Sequence, residues 1–469
     1  MDRSSAKRLS AFIVSVAAGL LFAPVSALLG ANTVEQKAAP SIKHGISIRS
    51  GVSRPLREMN LPRPKPGETR REIHHKPRPG WNPPTDKPLR HDPARQSTSA
   101  PNEMPGPIVS FEGVGDVDFL QPADTNAAVG PNHVAQWVNI SFEIWDKDGN
   151  DLTGGPVAGN AFWQGFGGDC ENINSGDPIV LYDQLADRWV FMQPTFDIFG
   201  ATLNRTCWAV SQTPDPMGAY NLYEFPWAIT GSPFPDYPKA SVWPDGYYVT
   251  AREFAGSNFS MAVTAVDRNA MLAGADASQI YVNLENGSMD GLLPANLDGT
   301  NLPGGSASSR PVGAPTPPEV LVSTGHPDRD GSPTPRLHFF YFHPDFATPA
   351  NSTFTGPVDV DVDNYNPVFE FVDTVPQPPP GGGLEANGWI QYRAPFRNFG
   401  GYESLIVEHD VRSDSGIVGP RWYEVRDPLG TPTIFQQGSY LPDDGIHRWM
   451  ISRLIAKPSK PDRAPHKAN

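Results

Sequence analysis

One pattern recurs through the middle of the chain and constrains its fold more than any other feature. Each copy opens on a polar turn former, continues into an apolar strand, turns tightly, and returns as a second strand carrying aromatics. Asp124-Thr125-Asn126 leads into Ala127–Val134, then Phe142-Glu143-Ile144-Trp145 and the turn Asp146-Lys147-Asp148-Gly149. Asp177-Pro178-Ile179-Val180-Leu181-Tyr182-Asp183 precedes Arg188-Trp189-Val190-Phe191, and Asp236-Tyr237-Pro238-Lys239 precedes Ser241–Thr250. A weaker copy runs from Glu319-Val320-Leu321-Val322-Ser323 to Leu337–Phe342. A fifth runs from Tyr392-Arg393 through Arg397–Gly400 and Glu403–Val407 to Arg421–Val425. Alternating apolar and polar residues give a strand period, and the Asp-Gly turns are hairpin turns. Repeats of this size predict an all-β chain, a β-propeller of four-stranded blades over residues 106–452. A sandwich has too few strands for that length.

With 44 Gly and 52 Pro in 469 residues and only 19% charged residues, a helical bundle or coiled coil is excluded. A sixth copy opens at His447-Arg448-Trp449-Met450 and stops before the basic, proline-bearing stretch 453–469. Since a ring must pair its end edges, this predicts either an unusual closure or a shortened reading frame.

The runs Asp124–Val134, Asp177–Trp189, Asp236–Asp245, Arg397–Val407 and His447–Met450 resemble those of a family of secreted, mostly uncharacterised bacterial β-propellers, loosely grouped with sialidase-like, BNR-repeat proteins. The resemblance implies a secreted propeller with further blades, and little about activity. The Ser/Thr-x-Asp-x-Gly-x-x-Trp repeat of sialidases is matched only in degenerate form by Arg412–Gly416 and Trp422.

Residues 1–27 read as a signal peptide: Arg3, Lys7 and Arg8, then the apolar Leu9–Phe22, then Val25-Ser26-Ala27. This predicts an extracytoplasmic protein, secreted or periplasmic, with no transmembrane span after cleavage. The two cysteines, Cys170 and Cys207, then pair as a disulfide. Residues 28–105 read as a disordered, Pro/Arg-rich linker, and 453–469 as a basic disordered tail. The linker holds 14 basic and 7 acidic residues, whereas 106–452 holds 15 basic and 42 acidic. So acidic a body repels polyanions, which argues against nucleic acid as a partner. The basic arm reads as a spacer, or as a contact to an anionic cell surface or to the body itself.

In a propeller the residues that open each inner strand converge on one mouth of the central channel. The candidate catalytic set is therefore Asp177, Asp236, Tyr237, Arg397, Glu403 and Arg448, with Asp124, Asn126, Lys239, Arg393 and His447 beside it. Paired carboxylates suit acid/base work on a glycosidic bond, and arginine suits a sugar carboxylate. Asp359, Asp361 and Asp363 project from one strand face and are candidate calcium ligands. No P-loop, Gly-x-Ser-x-Gly or His-Glu-x-x-His occurs. Three functions follow: binding of an extracellular glycan or protein at the mouth, cleavage of a glycan there by a hydrolase or lyase, or a structural, adhesive role. The loops 154–176 and 286–315 read as function-bearing.

Overall fold

The computed structural model describes residues 40–64, 78–80, 88–98, 106–196, 204–285, 289–304, 316–370, 372–379 and 381–450, with 71, 72 and 82. The expected signal peptide and basic tail lie outside these residues.

Five antiparallel four-stranded blades follow one another along the chain. Blade 1 is Asn126–Val129, His133–Val138, Ser141–Asp146 and Val157–Ala158. Blade 2 is Ile179–Asp183, Arg188–Thr195, Arg205–Ser211 and Tyr220–Pro226, and blade 3 is Phe234–Val242, Gly246–Ala255, Asn258–Asp267 and Ser278–Asn283. Blade 4 is Leu293–Leu297, Glu319–Gly325, Arg336–His343 and Thr353–Asp361, and blade 5 is Ala394–Asn398, Glu403–Arg412, Val418–Arg426 and Thr433–Tyr440. The inner strands of blades 4 and 5 pair in parallel, Ala295 opposite Ala394.

Side chains join the other blades. Asn126 Oδ1 accepts from Val180 N–H at 2.9 Å, and Asn296 Oδ1 accepts from Val242 N–H at 3.2 Å. Asp183 of blade 2 takes both Arg268 and the Tyr247 hydroxyl of blade 3. From blade 5, Arg393 donates to Ala127 O of blade 1 and Val180 O of blade 2, and the Tyr392 hydroxyl donates to Ala240 O of blade 3. These two side chains therefore cross the channel and close the ring. Eight of the ten tryptophans in 106–452 are buried between sheets, where aromatic area contributes most.

Four expectations need correction. First, the fourth blade opens at Leu293–Leu297, not at Glu319, so the stretch read as a long loop carries an inner strand. Second, the other stretch read as a function-bearing loop, 154–176, carries a short 3-10 turn, Gly159–Trp163, in which Trp163 is fully buried. Third, His447–Met450 open no sixth blade. Arg448 N–H donates to Val418 O, and His447 Nδ1 accepts from Val418 N–H, so the segment lies along blade 5.

Fourth, the arm is not a free linker where it is described. Ile42–Ile46 adds a fifth strand to blade 3, Arg49–Val52 to blade 2, and Arg95–Gln96 runs parallel to the outer strand of blade 5. An edge strand needs only backbone partners, so low apolar content does not prevent it from docking. Its arginines meet the acidic blades: Arg57 with Asp215, Arg49 with Glu224, Arg90 with Asp328 and Arg95 with Asp443. Of the three readings of its charge, contact with the body is the one seen.

Cys170 and Cys207 form a disulfide and are both buried. It ties the short helix Asp169–Asn172, between blades 1 and 2, to the third strand of blade 2. Closing a loop of 37 residues contributes about 4 kcal/mol through the unfolded chain. The double variant Cys170→Ala/Cys207→Ala is expected to melt about 5 °C lower by differential scanning calorimetry.

Candidate active site at the channel mouth

The inner strands begin on one face of the ring, and an aspartate stands at the entry to four of them. Asp124 and Asp177 each precede their strand by two residues, Asp236 is the third residue of its strand, and Asp290 precedes Leu293 by three. Asp124 and Asp177 share a left-handed backbone, φ +45° and +48°, and Tyr237 joins them at +54°. Aspartate tolerates that region better than most residues, and such positions gather where a site over-determines the backbone. At Tyr237 the strand bulges, with the register shifting between Asp236 and Lys239, which lets Asp236, Tyr237 and Lys239 all retain contact with solvent.

Asp124, Asp177, Asp236 and Lys239 form one electrostatic cluster. The Asp124 and Asp177 carboxyls are hydrogen-bonded to each other, and the backbone N–H of Tyr237 donates to Asp177. Burial pushes Asp124 up to about 6, helped by Asp236 and opposed by Lys239. Burial holds Asp177 well above the carboxylate range, reinforced by Asp124 and Asp236. Lys239 is lowered by burial against the pull of the three acids. Its Nζ lies 3.5 Å from the Tyr237 ring centroid and donates to Pro238 O. These four side chains touch solvent while protein surrounds them, as groups lining a narrow channel do.

Asp236 differs from its neighbours. Its carboxylate accepts from Arg252 Nη1 at 2.9 Å, while the same guanidinium forks onto Asp290, Nε to Oδ1 at 2.9 Å and Nη2 to Oδ2 at 3.1 Å. Arg252 is 1% exposed and packs on the Trp389 ring at 4.8 Å. The mouth thus holds carboxyl groups in two environments: Asp177, whose burial favours its protonated form, and Asp236, ion-paired with a buried guanidinium.

A second group of acids lies on blade 5 and on the segment between blades 4 and 5. Asp410 is fully buried and accepts from Gln391 Nε2 at 2.8 Å; burial pushes it up to about 8. Glu370 pairs with Arg329 at 2.5 Å.

Of the sequence candidates, Asp177, Asp236, Tyr237, Asp124 and Lys239 come together. Arg393 lies lower in the channel, and Asn126 is taken up by the blade contact to Val180. Arg397 stands toward the far end of its strand near Asp298, and Glu403 accepts from Gly304 N–H at that same end. Arg448 forms an exposed ion pair with Asp444 on blade 5, and His447 bonds Val418. Those four belong elsewhere because inner-strand ends and the chain after blade 5 do not face the mouth.

The calcium expectation is also corrected. Arg336 bridges Asp359 at 2.7 Å and Asp361 at 3.0 Å, and His338 Nδ1 meets Asp359 at 2.7 Å. Asp363 contributes its backbone to Gln437 and Arg421. The Arg336 guanidinium relieves the repulsion between Asp359 and Asp361. Among the described residues no group of three or more His, Cys, Asp or Glu side chains is placed to hold a metal ion.

Sequence reasoning missed Arg252, Asp290, Trp389 and Asp410. Asp290-Gly291 repeats the blade-opening aspartate and was legible. Gly291 has φ +74°, and a Cβ there would lie 2.5 Å from Trp389 Cβ, so the turn presses directly on the mouth.

No family model matches this sequence, and no curated protein is similar to it in sequence. Among solved structures, an exo-β-1,3-galactanase from Clostridium thermocellum aligns at TM-score 0.34 and 11% identity, covering 72% of this chain and 68% of its own. An exo-β-1,3-galactanase from Phanerochaete chrysosporium with galactose gives 0.31 and 13%, covering 73% and 70%. An α-L-arabinanase from Cellvibrio cellulosa gives 0.26 and 9%, covering 66% and 94%. Similarities this low assign no activity.

Proposed function

We propose that this chain is an extracytoplasmic, glycan-cleaving β-propeller that hydrolyses a neutral glycan at the channel mouth. The observation that carries the reading is the coexistence, in one solvent-reached cluster, of a carboxyl whose burial favours its protonated form (Asp177) and a carboxylate paired with the buried Arg252 (Asp236). Environments that drive two acids apart in this way supply a general acid and a general base at the same pH. Asp177 would protonate the leaving glycosidic oxygen, with Asp124 sharing its proton, and Asp236 would act on the sugar as base or nucleophile. Tyr237 lines the mouth, where a phenol can bond sugar hydroxyls. An acidic body favours a neutral over a polyanionic polymer. The disulfide suits an oxidising compartment.

A panel of neutral and uronate-containing polysaccharides, assayed for reducing ends and for absorbance at about 235 nm (the unsaturated product of a lyase), tests the reading. Reducing ends from a neutral polymer without that absorbance support hydrolysis. Binding with no release by a folded, monodisperse protein replaces it with the binding-only reading, and neither binding nor release replaces it with a structural role.

A further inference from the structure

The inner strands of blades 1, 2 and 3 each form the edge of their sheet, so backbone carbonyls that they turn to the channel need donors from elsewhere. Tyr392 and Arg393, which lead into the inner strand of blade 5, supply such donors to all three. Arg393 Nη2 donates to Ala127 O of blade 1 and to Val180 O of blade 2, both at 3.3 Å, and the Tyr392 hydroxyl donates to Ala240 O of blade 3 at 2.9 Å. Ala127 and Val180 each follow the aspartate that opens their strand, Asp124 and Asp177, by three residues. Ala240 follows Asp236 by four, and the extra residue falls in the bulge between Asp236 and Lys239. The three blades are therefore gripped at one depth, about 10 Å of strand below their carboxyl-bearing residues. Tyr392 is itself held: its hydroxyl meets the side chains of Arg393 and Asn126, and its ring packs on the apolar cores of blades 2–3 and of blades 3–5. Lys239 Nζ lies 5.8 Å from the centroid of that ring.

We infer that Tyr392 and Arg393 are positioning residues that form the floor of the site, holding the strands of Asp124, Asp177 and Asp236 in register and shutting the channel beneath them to water from its far end. The inference rests on the hydrolytic reading above. Each of the three aspartates comes from a different blade, so their mutual distances depend on ties that run between blades. A displacement of about 1 Å between reacting groups can cost on the order of a hundredfold in rate. The floor also keeps the acids dry. Water reaching Asp124 and Asp177 from below would hydrate their ionised forms and undo the effect of burial on both.

Tyr392→Phe and Tyr392→Leu in the full chain test this. Tyr392→Phe keeps the ring and loses the bond to Ala240 O; its kcat is expected about fivefold lower at unchanged KM. Tyr392→Leu opens the floor and leaves every charge of the site in place. Its kcat should fall about tenfold or more at unchanged KM, and its alkaline loss of activity should begin at lower pH. The infrared band of protonated carboxyls, assigned to Asp177 by its loss in Asp177→Asn, needs no substrate. It should titrate at lower pH in Tyr392→Leu than in the wild type. An unmoved titration in a folded Tyr392→Leu overturns the inference, whatever its kcat, and leaves hydrolysis standing. If Tyr392→Leu does not fold, Tyr392→Phe decides, and an unchanged kcat overturns the inference. A titration that moves in a chain that cleaves no glycan overturns the hydrolytic reading and leaves the floor in place.

Discussion

Asp177→Asn is expected to lower kcat on any cleaved glycan by about 10²- to 10⁴-fold, the range for removal of a general acid, while leaving the protein at least as stable at pH 8. The two halves of that expectation have one cause. The fold favours the protonated form of Asp177 and of Asp124, so each binds its proton more tightly folded than unfolded. For a carboxyl whose folded pKa is raised, that stabilisation is fully present below the unfolded value and is lost as pH rises through the folded one. At pH 8 the wild type therefore carries an ionisation cost that asparagine does not. Asparagine can still accept from Tyr237 N–H and donate to Asp124, but it has no proton to give. Activity should fall on the alkaline side, as the coupled Asp124–Asp177 pair, raised by burial, loses the proton that the leaving oxygen needs. A variant that keeps wild-type turnover would remove Asp177 from the chemistry. One that melts several degrees lower at pH 8 would mean that the carboxyl serves packing.

The sequence carried the repeat and its period because a strand buried on both faces leaves a short apolar run, and a hairpin leaves an Asp-Gly or Pro-Asp-Gly turn. It also carried Asp124, Asp177, Asp236, Tyr237 and Lys239, since a blade-opening residue is fixed to the mouth by topology alone. What it did not carry depends on contacts made across long separations. Arg252 sits inside a strand that reads as uninterrupted core, and only its partners, 16 and 38 residues away, show what it does. Arg397, Glu403 and Arg448 have suitable chemistry in suitable repeats but stand at the wrong end of a strand or beyond the last blade. The aspartates of 359–363 looked like a cation site because their neutralising partner, Arg336, lies on the adjacent strand. The arm looked unstructured because its docking uses backbone edges and scattered arginines, neither of which leaves a periodic signal.

Arg252 is where stability and function can be separated. Its guanidinium is 1% exposed and compensates two carboxylates at once, so Arg252→Met leaves Asp236 and Asp290 without the guanidinium that bridges them. Breaking a buried pair from one side costs about 3–5 kcal/mol; in a chain with five blades that corresponds to a melting temperature roughly 5 °C lower, together with loss of activity. Part of the loss is packing, since the guanidinium also covers the rings of Phe254, Phe259 and Trp389, and methionine was chosen to keep that apolar volume filled. The triple variant Arg252→Met/Asp236→Asn/Asp290→Asn removes the buried charges altogether. Replacing a buried ionic group by neutral groups of similar volume is often neutral or stabilising, so the triple variant should recover most of the lost melting temperature. It should not recover activity, because the carboxylate proposed to act on the sugar is gone. Recovery of both would show that the ionic chain is scaffolding only. Recovery of stability alone is the result expected if the buried charges are kept for the chemistry at the mouth, at the expense of the stability an uncharged site would have.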